Sequence, residues 1–490
     1  MLRPRGAGCC YSKPEGDRFQ TLAPSESILD NAFDWARPFE DVGSAFKSLP
    51  EQQQALVLNH LRKLTDEQAR AAATAASFIT EVAAAMDAVP EAQKVPAMHE
   101  NGSSAWDFLN GALIEQLLSH TPLIDIEYLV HLVDYGGVMP AGRQHVPPAA
   151  FITLHNVWRL KLWNKERNKG SLAVLAFSYP WLDWWAPDRV GEQLRRVLPI
   201  LKAMMAEAKS DSQLATVGVM IDFLCLPQRP YTDERDKQRF GVSLKSINQW
   251  YYHKNATTLL ITNPPPPGAL YTNTRLHRQR GWCFFEKAAS MAIKRGYCLL
   301  DVAKYAGATK FCGKYVVDQG GCIGQMKAGR QPPLSPDAFA QQMQSGVVSG
   351  ELKFTANADM EFVIGQYKQG FVASINIVAS RPDRSARILD FTHLKWRDTE
   401  AATLLDALRY AAVSCEFPRG PVCVFCADGN RISNAMLQTM PPRGDYYASD
   451  ESPPKEVVDY GAPGDSRHEW SGKFYISRMT GTWLCDELPE

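Results

Sequence analysis

Apolar positions change their period along this chain, and each change marks a new part. Residues 1–45 are polar and punctuated by Pro and Gly, and are expected to form a disordered lead. Across 46–165 the apolar positions follow a helical period. Thr65-Asp66-Glu67-Gln68 has the form of a capping box opening an Ala-rich helix. Trp106, Leu109, Leu113, Ile114, Leu117 and Leu118 fall on one stripe, and Ile126, Leu129, Leu132 and Val133 suggest another. This part predicts a small helical bundle, separated from the next unit by Pro147-Pro148 and the polar segment 161–170.

From 171 to 304 short apolar runs alternate with helical spacing. Leu172–Phe177 is an unbroken run, as expected of a strand buried on both faces. Helical spacing continues over 190–208, where Pro199 is expected to kink the helix or end its first half. Val217–Leu224 predicts a second strand, 239–253 a helix, Thr257–Thr262 a third strand, 283–294 a helix and Tyr297–Val302 a fourth strand. The alternation predicts an α/β fold, a parallel sheet of four or five strands with helices on both faces. Residues 305–385 read as a mixed α/β extension, with Phe354-Thr355 ahead of a helical-looking 358–374.

Two later segments share a spacing. Leu389, Phe391, Leu394 and Trp396 match Phe425, Ala427, Asn430 and Ile432, and 399–412 between them is helical. Residues 386–440 therefore resemble a degenerate leucine-rich-repeat pair; two such units are too few for a solenoid and must pack on a neighbour. Residues 441–490 form a polar tail with aromatic patches at Trp470, Phe474, Tyr475 and Trp483.

Composition narrows the classes. The chain has 490 residues, 45% of them apolar, which is globular composition with room for several cores. Lys+Arg and Asp+Glu both number 53, so no net field would gather nucleic acid or an anionic membrane. No apolar run is long enough to span a bilayer, and the first 25 residues lack a secretory apolar core. Eleven scattered cysteines make no disulfide framework, and a reduced, cytoplasmic setting is expected. Cys9-Cys10 offers a palmitoylation site, while Leu2 excludes N-myristoylation. Cys423-x-x-Cys426 has Cys415 and His393 as neighbours, at spacings that fit no usual zinc site. Arg275, Arg278 and Arg280 form a small cluster that suits one phosphate or, equally, a solvated loop.

The chemistry concentrates in three boxes. Ala176-Phe177-Ser178-Tyr179 ends the first strand, Val219 to Gln228 holds Asp222, Cys225 and Gln228, and Arg280 to Glu286 places Trp282, Cys283 and Glu286 at the opening of a helix. These boxes resemble, in order, those of the TIR domain and of its fungal relative, the HET domain. The resemblance covers about 130 residues. Met220 stands where the HET-like pattern has Trp, and the loop Gln228–Arg235 lacks the family's glycine. The resemblance implies a flavodoxin-like parallel sheet, self-association, no resident cofactor, and NAD⁺ or a related nucleotide as substrate. By matching position, Glu286 inherits the catalytic role in NAD⁺ cleavage. Ser178, Tyr179, Trp181, Asp222 and Trp282 are the expected substrate-binding residues, with Trp184 and Trp185 nearby. Bland roles stand beside these: a helix-dipole acid for Glu286, a structural hydrogen bond for Asp222, core packing for the tryptophans. The altered loop and the proline run 264–267 favour a second reading, a non-catalytic self-association module in signalling.

Overall fold

A computed structural model describes residues 51–98, 104–164, 170–183, 186–229, 231, 233–265, 271–311, 321–356, 358–382, 386–426, 429–440, 443–444 and 473–477. Cys9, Cys10, Trp184, Trp185, Trp470, Trp483, Pro266 and Pro267 lie outside these.

Among the described residues, six strands form the main sheet: β1 (Leu123–Asp125), β2 (Phe151–Ile152), β3 (Val174–Ser178), β4 (Gly218–Met220), β5 (Thr257–Leu260) and β6 (Leu299–Asp301). Their order is β2-β1-β4-β3-β5-β6. β4, β3, β5 and β6 run parallel, with Ala176 opposite Met220 on one side and Thr258 on the other. β1 and β2 add antiparallel pairs at one edge. Every residue of β3, β4 and β5 is buried, as expected of strands covered on both faces.

The two edge strands revise the expected organisation. They come from the segment read as a separate helical bundle, which instead completes the sheet. The chain there adopts α1 (Glu51–Asp87), α2 (Gly111–Leu118) and α3 (Ile126–Asp134). α1 runs without a break through Thr65–Gln68, so no helix starts at that capping-box sequence. Gly218 lets β1 approach β4: a Cβ there would lie 2.5 Å from Leu123 Cδ1.

The edge is fastened by buried charge. Arg159 reaches Asp125 at 2.5 Å and Glu127 at 2.6 Å, and Lys209 reaches Glu127 at 2.7 Å. Thr216 Oγ1 donates to the second Asp125 oxygen at 2.6 Å. Lys209 belongs to α4 (Glu192–Asp211), which packs on α3. α4 continues past Pro199, so the helix does not end its first half there. Pro199 and Arg195 both face solvent, so the carbonyl that loses its helical partner can turn to water.

In the other helix group, α5 (Glu234–Tyr252) packs against α6 (Gly281–Ala292) and α8 (Asp359–Ala379), and α7 (Pro336–Val348) packs against α8. Asp233 caps α5 by accepting from the Asp236 amide at 2.8 Å.

A second sheet has the order β7-β8-β10-β9, all parallel: β7 (Ile388–Asp390), β8 (Val422–Phe425), β9 (Arg443–Gly444) and β10 (Phe474–Ser477). α9 (Asp398–Ser414) crosses from β7 to β8. β10 lies within the segment expected as a polar tail. Asn430 ties the two spacing-matched segments together. Its Oδ1 accepts from the Leu394 and Trp396 amides, both at 3.0 Å, and its Nδ2 donates to Phe391 O (2.7 Å) and Cys426 O (2.8 Å). Arg330 joins this sheet to the first, donating to Met291 O (3.1 Å) at the end of α6 and to Asp390 O (2.6 Å) on β7. One continuous apolar core runs through both sheets.

No helix among the described residues is long and apolar enough to cross a membrane.

Arg159→Met leaves the fully buried Asp125 and the buried Glu127 short of their partner. It is expected to cost about 3–5 kcal/mol, read as a lower midpoint in urea unfolding. An unchanged midpoint would show that the edge strands do not depend on this cluster.

Candidate active site

The strand order reverses at β3: the chain moves from β3 to β4 on one side, then to β5 on the other. Open α/β sheets bind ligands at the carboxyl ends of strands beside such a reversal. A cleft of about 560 Å³ opens there, within the usual range for small-molecule sites. Tyr179, Trp181, Asp222, Trp282 and Glu286 all line it. Three separate sequence boxes thus meet at one place. Ser178 is the exception among the expected site residues: it is fully buried behind the cleft rather than on its surface.

Asp222 does not sit inside a strand, as the apolar run suggested. β4 ends at Met220, and Asp222 opens the single helical turn Asp222–Cys225 just beyond. Its Oδ1 accepts from the Tyr179 hydroxyl at 2.6 Å and from the Phe223 amide at 2.7 Å, and the Trp181 side chain adds a further hydrogen bond. Burial raises its pKa, while these donors favour the charged form.

Glu286 lies in the second turn of α6 and is 7% exposed. Its carboxyl is pushed well above the usual range, by burial first and by the nearby Asp222 charge second; the Ser178 hydroxyl offsets part of this. Oε2 has no hydrogen-bond partner among the described residues. A helix-dipole acid would be solvated near the first turn. Glu286 is buried, paired with a second acid and left with an oxygen unsatisfied, an arrangement that costs stability and suits a functional group.

Behind Glu286 lies a pair that sequence reasoning missed. His277 Nε2 lies 2.8 Å from Ser178 Oγ, and the Ser178 hydroxyl favours the charged form of Glu286. Burial, with Lys287 and Arg280 nearby, lowers the His277 pKa to about 3, so the imidazole is neutral. Ser178 and His277 are 99 residues apart, and no spacing could have paired them. With Ser178 sealed from the cleft, the pair offers no exposed nucleophile.

The 305–385 extension supplies a wall that was also missed. Lys353, Phe354, Thr355, Ala356 and Asp359 line the cleft. The Lys353 carbonyl accepts from the Gly281 amide at 2.9 Å, satisfying the first donor of α6. The Phe354 ring lies over Gly281, where a Cβ would meet it at 2.1 Å. Trp282 Nε1 donates to Asp359 Oδ2 at 3.0 Å, and burial raises the Asp359 pKa to about 6. The one available signal was Trp282 itself, since a half-buried indole N–H needs an acceptor.

The arginine cluster divides. Arg280 is buried and donates to the carbonyls of Trp181 (2.5 Å), Asn273 (3.0 Å) and Arg275 (2.9 Å), pinning two cleft walls. Arg275 and Lys353 are exposed and line the cleft, with Arg229 also in the lining. Arg278 is exposed and lies outside the lining. No cluster of His, Cys, Asp and Glu among the described residues could hold a metal ion, and Cys423 and Cys426 are buried thiols.

No family model, curated protein or solved structure matches the chain.

Glu286→Gln is expected to stabilise the fold at alkaline pH. A glutamate whose folded pKa is raised contributes most below its unfolded value of about 4.3 and loses that contribution as pH rises through the folded value. Glutamine, always neutral, keeps it. Thermal unfolding from pH 4 to 9 should show the variant and parent together at the acid end and diverging upward. A parent that gains on the variant as pH rises would contradict the burial argument.

Proposed function

We propose that the cleft binds NAD⁺ or a related nucleotide and cleaves the nicotinamide–ribose bond, with Glu286 as the catalytic carboxylate. The observation that carries this is that Glu286 and Asp222 line one cleft together with Trp181 and Trp282. Bond cleavage develops oxocarbenium-like charge on the ribose. A carboxylate facing that charge stabilises the transition state more than the ground state. Asp222, held by three donors that favour its charged form, lines the cleft with Glu286. Nicotinamide departs neutral, so no general acid is needed, as the logic of paired carboxylates in glycoside hydrolysis allows.

The rest of the cleft suits the remainder of a dinucleotide. Arg229, Arg275 and Lys353 supply positive charge for a pyrophosphate, and Phe240, Phe354 and Tyr231 supply faces for a base. The four parallel strands, taken in chain order, lie 2-1-3-4, the order of the first four strands of a flavodoxin-like sheet, which supports the TIR-like reading drawn from the three boxes. Placement in a cytoplasmic signalling role with self-association rests on that resemblance.

Purified protein is expected to release nicotinamide from NAD⁺, and Glu286→Ala to slow release by about 10²–10³. Assay across a wide range of protein concentration tests for activation by assembly. Full turnover in the variant would remove Glu286 from the chemistry, and no turnover at any concentration would favour the interaction module.

A further inference from the structure

We propose that the floor of the cleft is a receptor for a planar cationic ring, and that Glu286 releases a proton when the ring enters. This rests on the nucleotide reading above and adds the property by which the site tells one ligand from another.

Three observations carry it. First, Glu286 Oε2 is more than nine-tenths buried, borders the cleft and lacks a partner among the described residues. An orphaned buried acceptor costs free energy until something fills it. Second, the Asp222 carboxyl lines the same cleft, and its charge disfavours ionisation of Glu286. Third, Trp181 and Trp282 line the same cleft, and indoles attract cations over their faces.

The groups around Glu286 leave the cation's place open. From β3 and its exit come Ser178 and Tyr179, whose hydroxyl is spent on Asp222. From α5 comes Tyr251, a neutral phenol whose hydroxyl donates to Phe177 O at 2.8 Å. From α6 come Cys283, a neutral thiol held up by burial, and Arg280, whose donors go to backbone carbonyls. From the extension come Asp359, bonded to Trp282, and Lys353 at the exposed rim.

The charge balance is simple. The empty pair holds one proton and one negative charge. The ring brings one positive charge, the Glu286 proton passes to solvent, and the floor then sets two negative charges against one positive. A neutral ring of the same shape gains nothing from that exchange. The site therefore favours an oxidised nicotinamide over a reduced one, and binding of the cation weakens with acid by about tenfold per pH unit below the Glu286 transition.

The test uses the full chain and carba-NAD⁺, whose carbocyclic ring blocks cleavage, beside its reduced form. Calorimetry in buffers of different ionisation enthalpy, from pH 5 to 9, reads affinity and proton release together. The oxidised form is expected to release up to one proton and to lose affinity toward acid, while the reduced form stays flat and weaker. Equal binding of both forms without proton release would overturn the inference and leave the nucleotide reading standing. Binding of neither would overturn both. Glu286→Gln should abolish the preference and the proton release. Asp222→Asn, which keeps an acceptor for Tyr179, should move the transition to lower pH. A transition unmoved in Asp222→Asn would overturn the role given to the pair, even if the Gln variant fails to fold.

Discussion

Two carboxyl groups, Asp222 and Glu286, share one partly closed space at the carboxyl ends of parallel strands, and the surrounding structure answers to the cost of keeping them there. Burial works against both charges, and the Asp222 charge further disfavours that of Glu286. Asp222 is held by Tyr179, Trp181 and the Phe223 amide; Glu286 has the Ser178–His277 pair behind it and a buried Oε2 without a partner among the described residues. The asymmetry makes one acid the fixed charge and the other the group that changes state. Such sites are maintained against stability, and the cost has to be met by rigid surroundings.

Those surroundings come from the whole chain. The amino-terminal segment adds two strands and a buried charge cluster that fastens β1 beside β4, whose exit carries Asp222. The extension after β6 closes the start of α6 through Lys353, Phe354 and Asp359. Arg330 ties the end of α6 to the second sheet. α6 is thereby held at both ends by parts of the chain outside the alternating unit, and Glu286 sits between those ties. The site is composite, and the alternating unit alone would lack one wall of it.

Much of this was legible in the sequence, for reasons that can be named. Unbroken apolar runs located β3 to β6, because strands covered on both faces have no polar side to show. Trp282, Cys283 and Glu286 stood out because an acid between buried aromatics is rare. The runs overstate strand length, since apolar residues continue into turns; the run around Asp222 therefore points to a strand that ends two residues earlier. β1 and β2 are hidden because three-residue and two-residue strands carry no measurable period and lie between helices that do. The effect of Pro199 depends on which face of the helix it occupies, which a proline's position in the sequence does not reveal. His277 and Asp359 reach the site only through the fold, across 99 and 77 residues, so no local pattern announces them.

The central claim is that this floor receives the nicotinamide end of a dinucleotide. An experimental structure of the Glu286→Gln protein soaked with NAD⁺ tests it most directly. The account predicts the nicotinamide ring against Trp181 or Trp282, the ribose facing residue 286 and Asp222, and the pyrophosphate toward Arg275 and Lys353. Nicotinamide bound elsewhere, or a cleft that stays empty at saturating NAD⁺, would contradict it.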